Sequence, residues 1–359
     1  MVQIIRSKER QQMPGTRIKK WSVTAPTRFR LVFFALNLIL ITGCASLSQK
    51  SCLEQRAAFD IGSATMKMKI ARVDRCSQRV SRVILQKEIK VPFAENTHHR
   101  LLNRDIRDQG VEQISLLKKE ALAHDVRYFA GVATAAFRQA DNTPQFLAEI
   151  REKTGIPVRA ISQDEEAILG YEAATAQTIS ALGNIVVWDI GGNSMQIVAK
   201  SKDLHYRIYR GHLASISFKK QLLEKIHRQT DRRRSPNPIG SRNLNAALAM
   251  ATKAAADVPE ELRRYIDQTG TTVIGIGGVH NQSIRNQIGK ITAYSREDLI
   301  KALKERLDWD DARIGGPYAD TDVSNLILVL GFMQKLDIKE VRLMDVNLTD
   351  GILIDPAYW

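Results

Sequence analysis

Phe59-Asp60-Ile61-Gly62-Ser63-Ala64-Thr65-Met66 returns later in the chain as Trp188-Asp189-Ile190-Gly191-Gly192-Asn193-Ser194-Met195. In both copies an apolar run ends in an aspartate, a tight turn of small residues follows, and a methionine opens the next apolar run. Backbone that approaches an anion needs outward N–H groups and no Cβ in the way, and Gly-Ser or Gly-Gly at a tight turn supplies both. A single Asp-Ile-Gly-Gly is an ordinary β-turn. Its repetition predicts two similar lobes with facing turns, and Val273-Ile274-Gly275-Ile276-Gly277-Gly278 adds a third glycine turn after an apolar strand. The aspartates that close the two leading strands, Asp60 and Asp189, are placed to hold a divalent metal or to order water beside bound phosphates.

Between the copies the pattern alternates. Residues 57–61 and 66–73 read as a hairpin and 81–91 continue its sheet. A helix over 107–123, a strand over 126–132, a helix over 143–154, a strand over 158–161 and a helix over 162–178 follow. After the second copy, a helix around 325–336 and a strand over 341–345 close the chain. This alternation predicts an α/β fold. Lys67 and Lys69 alternate with Met66, Met68 and Ile70, which places both lysines on the wet face of a half-buried strand. The breaker-rich, charged segment 232–242 reads as an exposed loop.

The N-terminus differs in kind. Eight basic residues and one acid precede Cys44, so this leader holds +7 of the formal charge of +14 and leaves +7 to the rest. An apolar run over 31–41, too short to span a bilayer, follows the basic stretch and ends in Ile41-Thr42-Gly43-Cys44. This resembles the bacterial lipobox, which implies cleavage before Cys44, lipidation of that cysteine, and a membrane partner reached through the lipid anchor. Ala45 in place of Asp after the cysteine implies an outer-membrane protein facing the periplasm of a Gram-negative envelope. The expected organisation is a signal peptide over 1–43, a tether over 44–55, and lobes over 56–180 and 181–359.

Lipidation of Cys44 leaves Cys52 and Cys76 as a pair. A hairpin turning about residue 64 puts them at equal distances from its centre, within disulfide range at its open end. The positive surplus favours a polyanionic partner, and no recognition motif points to a specific nucleic acid.

Ser162 followed by Glu165 is a capping box at the start of an apolar helix. Glu165 therefore has a structural role, while Glu166, one position on, faces another side of the first turn and is free for chemistry.

At these residues the chain resembles the exopolyphosphatase and guanosine pentaphosphate phosphohydrolase family, within the superfamily of actin, sugar kinases and heat-shock ATPases. Five ordered segments carry the resemblance: 60–63, 133–138, 161–167, 189–194 and 275–278. It implies two ribonuclease-H-like lobes with the active site in the cleft between them, and hydrolysis of terminal phosphoanhydrides of polyphosphate or a related chain with magnesium. Glu166 and Asp189 take the catalytic positions. Asp60, Gly62, Ser63, Thr65, Arg138, Gly191, Gly192, Asn193, Ser194, Gly277 and Gly278 take the phosphate-binding ones, with Asp60 and Asp189 also as metal ligands.

The family's Ser-Thr-Glu after the second loop reads Ser194-Met195-Gln196 here, so a neutral amide stands where a carboxylate is expected. Two alternatives follow: a polyanion-binding lipoprotein that keeps the cleft without turnover, and a kinase-like phosphotransferase, which would need an adenosine pocket near Gly275–Gly278. A homodimer stays open as a further partner.

Overall fold

Two sheets built on one plan organise the molecule, as a computed structural model describes it for residues 52–178, 183–201, 203–229, 231 and 234–359. The expected leader, the expected lipidation site Cys44, most of the expected tether, and Arg232 and Arg233 of the charged loop lie outside the described residues. The first sheet contains β1 (Leu53–Ile61), β2 (Thr65–Asp74) and β3 (Arg79–Lys90) as an antiparallel meander. Beyond a two-stranded ribbon, β4 (Thr97–His98) with β5 (Leu101–Leu102), the sheet gains the parallel strands β6 (Tyr128–Ala133) and β7 (Val158–Ala160), in the order β3-β2-β1-β6-β7.

The second sheet repeats this. β8 (Ile185–Ile190), β9 (Met195–Lys200) and β10 (Tyr206–Gly211) form the meander, and β11 (Thr272–Ile276) and β13 (Glu340–Leu343) pair parallel to β8 and to each other. An edge strand, β12 (Ala293–Ser295), pairs antiparallel to β13. The internal repeat is thus a repeat of fold, with two ribonuclease-H-like lobes.

Each sheet is covered by helices, which is why its inner strands read as near-continuous apolar runs. On the outer face of the first sheet, the helices Arg104–Ala123 and Thr143–Thr154 enclose Phe93, Phe137 and Phe146. The first of these starts earlier than its periodicity suggests, because the Asn103 side chain caps it by accepting from Ile106 N–H at 2.8 Å. On the second sheet, helix Ala319–Lys335 packs on Ser241–Ala255 closely enough that a Cβ at Gly331 would stand 2.5 Å from that of Ala251.

Helix Gln163–Gln177 is wedged between the sheets. Its Leu169 packs with first-sheet residues, and its Ala167, Tyr171, Ala173 and Ala174 pack with Val187, Val198 and Ile274 of the second. After β13 the chain returns to the first lobe. Helix Leu348–Ile354 covers Ala58, Ala71, Val73, Ala130 and Val132, and its Asp350 accepts a 2.5 Å hydrogen bond from Lys69.

That return corrects the reading of β2. Lys69 is 2% exposed rather than wet, because a helix distant in sequence roofs the inner face of the strand. Cys52 and Cys76 are disulfide-bonded with Cα atoms 5.5 Å apart. The hairpin register pairs Leu53 with Asp74, so its centre falls between residues 63 and 64, and Cys76 reaches Cys52 from the turn just beyond β2.

Candidate active site

Both hairpin turns close with the same hydrogen bond: Gly62 N–H donates to Thr65 O at 2.8 Å, and Gly191 N–H to Ser194 O at 2.9 Å. Two further carbonyls of each turn are held from within the protein. Ser63 O and Ala64 O accept from Ala94 and Val91 N–H, both at 2.9 Å, while Gly191 O and Gly192 O accept from Ser215 and Ile216 at 3.1 and 2.7 Å. In a trans peptide the following N–H points the opposite way. The N–H groups of Ala64, Thr65, Gly192 and Asn193 are therefore turned away from this backing.

The loops face one another. A Cβ placed on Gly192 would stand 3.1 Å from the Ser63 Cβ and 3.8 Å from that of Ala64. Asp60, Gly62, Ser63, Thr65, Glu166, Asp189, Gly191, Gly192, Ser194, Gly277 and Gly278 all line one cavity of about 60 Å³ between the lobes. Of the other sequence candidates, Arg138 reaches this group through Glu166 and Ser194, and Asn193 stands at the loop tip with a buried Oδ1 that has no partner among the described residues. A larger cavity of about 680 Å³ lies at the opposite ends of β11 and β13 and holds none of these groups.

Strand register fixes the aspartates. Asp60 stands beside Val132 of β6 and across from Lys67, and Asp189 beside Ile276 of β11 and across from Gln196. The third glycine turn makes room for Asp189: Gly277 has φ +80°, and a Cβ there would lie 2.2 Å from Asp189 Oδ1.

Ser162 caps the wedge helix and Glu165 returns the bond to Ser162 N–H at 3.0 Å, leaving Glu166 buried at the cleft. Glu166 Oε2 lies 2.7 Å from Arg138 Nη1, although off the line of a hydrogen bond, and Oε1 accepts from Ser194 Oγ at 3.4 Å.

Burial dominates the electrostatics. It raises Glu166 to about 7 against the attraction of Arg138, with Asp189 and Asp60 adding repulsion. It likewise lifts Asp60 to about 6 against Lys67, with Asp189 and Glu88 pushing the same way, and raises Asp189 against Lys67 and an Ile190 N–H bond.

Lys67 was the residue missed from sequence. Its Nζ lies 3.9 Å from Asp60 Oδ2, its side chain is 16% exposed, and it lines the cavity. Burial pulls its pKa down, but the carboxylates of Asp60, Glu88, Asp189 and Glu166 outweigh that and hold it above the ordinary lysine value. The available signal was hairpin register, since a residue directly across from Asp60 must share its face. Asn347 and Leu348, which complete the cavity wall, carried no such signal.

Fold and site define a two-lobed α/β protein of the actin-like class with opposed phosphate-type loops. Similar solved structures include an Aquifex aeolicus PPX-GPPA enzyme (16% identity, TM-score 0.65, covering 84% of this chain and 99% of that one). An exopolyphosphatase-like protein (18%, TM-score 0.70, covering 84% and 97%) and an exopolyphosphatase from Cytophaga hutchinsonii (16%, TM-score 0.67, covering 84% and 96%) share the fold. The model of the Ppx/GppA phosphatase family matches residues 70–357, and the chain belongs to that family of phosphohydrolases.

Proposed function

We propose that the protein removes terminal phosphates from inorganic polyphosphate or a related phosphate chain by attack of water. The observation that supports this best is one buried glutamate that meets both lobes beside the facing loops: Ser194 of the second loop and Arg138 of the first lobe both meet Glu166. The terminal phosphate sits between the loops, its oxygens accepting from the backbone N–H groups of Ala64, Thr65, Gly192 and Asn193. Arg138 offers a fork of donors to the same oxygens.

Glu166 takes a proton from water as the water oxygen bonds to phosphorus. The bridging P–O bond breaks, and its electron pair leaves with the shortened chain.

Asp60 and Asp189 fit a divalent cation such as magnesium, being a buried and a half-buried carboxylate beside the phosphate position, with Asp60 Oδ1 lacking any partner among the described residues. When bound, such an ion would neutralise charge on the phosphate oxygens.

The lipobox supports a lipid anchor at Cys44 in the cell envelope, on an outer membrane facing the periplasm, where the Cys52–Cys76 bond suits an oxidising compartment. Guanosine pentaphosphate, a cytoplasmic nucleotide, does not fit that location.

Gln196 favours one second reading. It is 1% exposed, stands across from Asp189, and its Nε2 has no partner among the described residues. A protein that binds polyphosphate without turnover would carry such a change.

The test is phosphate release by wild type and Glu166→Gln. Hydrolysis by wild type, reduced about 10³-fold in the variant, is expected. Equal rates would remove Glu166 as the base, and binding without turnover across several metals would favour the second reading. A base raised to about 7 must be ionised to act, so activity falls as pH drops through about 7. Stability moves the other way. A carboxyl raised on folding stabilises below its unfolded pKa, and that gain is lost as pH rises through about 7, a slope that Glu166→Gln should flatten.

A further inference from the structure

Each phosphate loop is held from behind by a single segment. Behind the first lies the segment 91–96, which includes the 3-10 turn Phe93–Asn96; its Val91 and Ala94 N–H groups donate to Ala64 O and Ser63 O, both at 2.9 Å. Behind the second lies helix Ser215–Lys225, whose first two N–H groups donate to Gly191 O and Gly192 O at 3.1 and 2.7 Å. One turn along that helix stands Lys219, 1% exposed. Its Nζ donates to Glu95 Oε1 of the first turn at 3.1 Å and to Asp320 Oδ2 of the second lobe at 2.5 Å. Next to it, Lys220 Nζ donates to Ala94 O at 3.3 Å.

We infer that Lys219 is a positioning residue for the reaction, its buried ammonium fixing the distance between the two phosphate loops by tying together the segments that back them. The inference rests on the reading that both loops grip one phosphate chain.

A buried ammonium is tolerated only when paired, and removing one partner of such a group leaves an uncompensated charge. Here the partners come from both lobes, so separating the lobes breaks the pairing. Burial lowers the Lys219 pKa, but Asp320 and Glu95 more than reverse this, so the side chain stays charged at assay pH.

The ends of the bridge are rigid. Phe93 packs in the first lobe's core and Phe218, beside Lys219, in the second's, both fully buried. A bridge between rigid ends transmits its length to the loops, and a misplacement of about 1 Å at a reacting centre can cost roughly 100-fold in rate. Glu88 and Lys90 of β3, just before Val91, also reach the second lobe, through Gln282, Tyr318 and Pro317, but by exposed or half-buried groups, whereas the Lys219 bridge is built on a side chain 1% exposed.

The test compares wild type with Lys219→Met, Lys219→Arg and Glu95→Gln, using tripolyphosphate as substrate and amide hydrogen exchange as a readout independent of turnover. Lys219→Met should lower kcat about tenfold or more and speed exchange at Ala94, Ser215 and Ile216 by a similar factor, with β1 and β8 amides unchanged. Lys219→Arg should recover most of both. Glu95→Gln, which keeps the Asp320 bond, should fall between, and it carries the test if Lys219→Met does not fold. Wild-type exchange and kcat in folded Lys219→Met or Glu95→Gln would overturn the inference, as would a lowered melting temperature alone. If wild type releases no phosphate, the proposed function fails while the exchange measurements still decide the role of Lys219.

Discussion

The two halves of the active site share a backbone and differ in the side chain across from the aspartate. Both loops use the same Gly-to-(i+3) hydrogen bond, and both aspartates stand near the end of the strand that joins a meander to the parallel strands. Across from Asp60 stands the cationic Lys67; across from Asp189 stands the neutral Gln196. The first half therefore brings its own positive charge to the proposed phosphate site, while the second leaves Asp189 without a side-chain cation directly opposite. A repeated fold preserves the turn that aims the backbone N–H groups, and division of labour enters through the facing strand position.

Three perturbations sharpen this contrast. The first hairpin is closed by a disulfide between residues 24 apart, and the β8–β9 hairpin contains no cysteine. Breaking that bond should lower stability by about 3 kcal/mol on loop-entropy grounds, read as a shift in the denaturation midpoint under reductant, with the second lobe's amide protection little changed. An unchanged midpoint would mean the bond leaves the first half no sturdier than the second.

Next in size, Gly277→Ala should drive the backbone or Asp189 out of place and lower kcat/KM about 100-fold. Its neighbour Gly278, with nothing within 4 Å of an added Cβ, should tolerate alanine within about threefold. Similar losses at both positions would show that Asp189 is not held by the third turn.

The smallest effects distinguish the facing residues. Lys67→Met should weaken phosphate-chain binding about tenfold and steepen its requirement for magnesium, because Asp60 loses its counter-charge. Gln196→Glu should instead strengthen magnesium binding severalfold. Equal responses in a metal titration would erase the distinction between the halves.

Much of this could be read in the sequence for physical reasons. A turn that must present backbone needs Gly, Ser or Asn at fixed positions, so the loops at Asp60 and Asp189 were visible as words, and their repetition predicted the two lobes. The capping box was equally local, and it separated Glu165, which caps, from Glu166, which faces the cleft.

Lys67 and Lys69 were misread because alternation reveals a period and does not say which face is wet. The face in question is covered by the second-lobe side of the cleft and by helix Leu348–Ile354, neither of which is near β2 in sequence. The Glu95–Lys219–Asp320 bridge was hidden for the same reason, since its members lie on three separate segments.

The central claim is that both loops hold one anion. Resolving the backbone amides of Gly62–Thr65 and Gly191–Ser194 by nuclear magnetic resonance while titrating Glu166→Gln with tripolyphosphate tests it directly. The account predicts that amides of both loops shift together along one binding curve. Shifts confined to one loop, or two curves with separate midpoints, would contradict it.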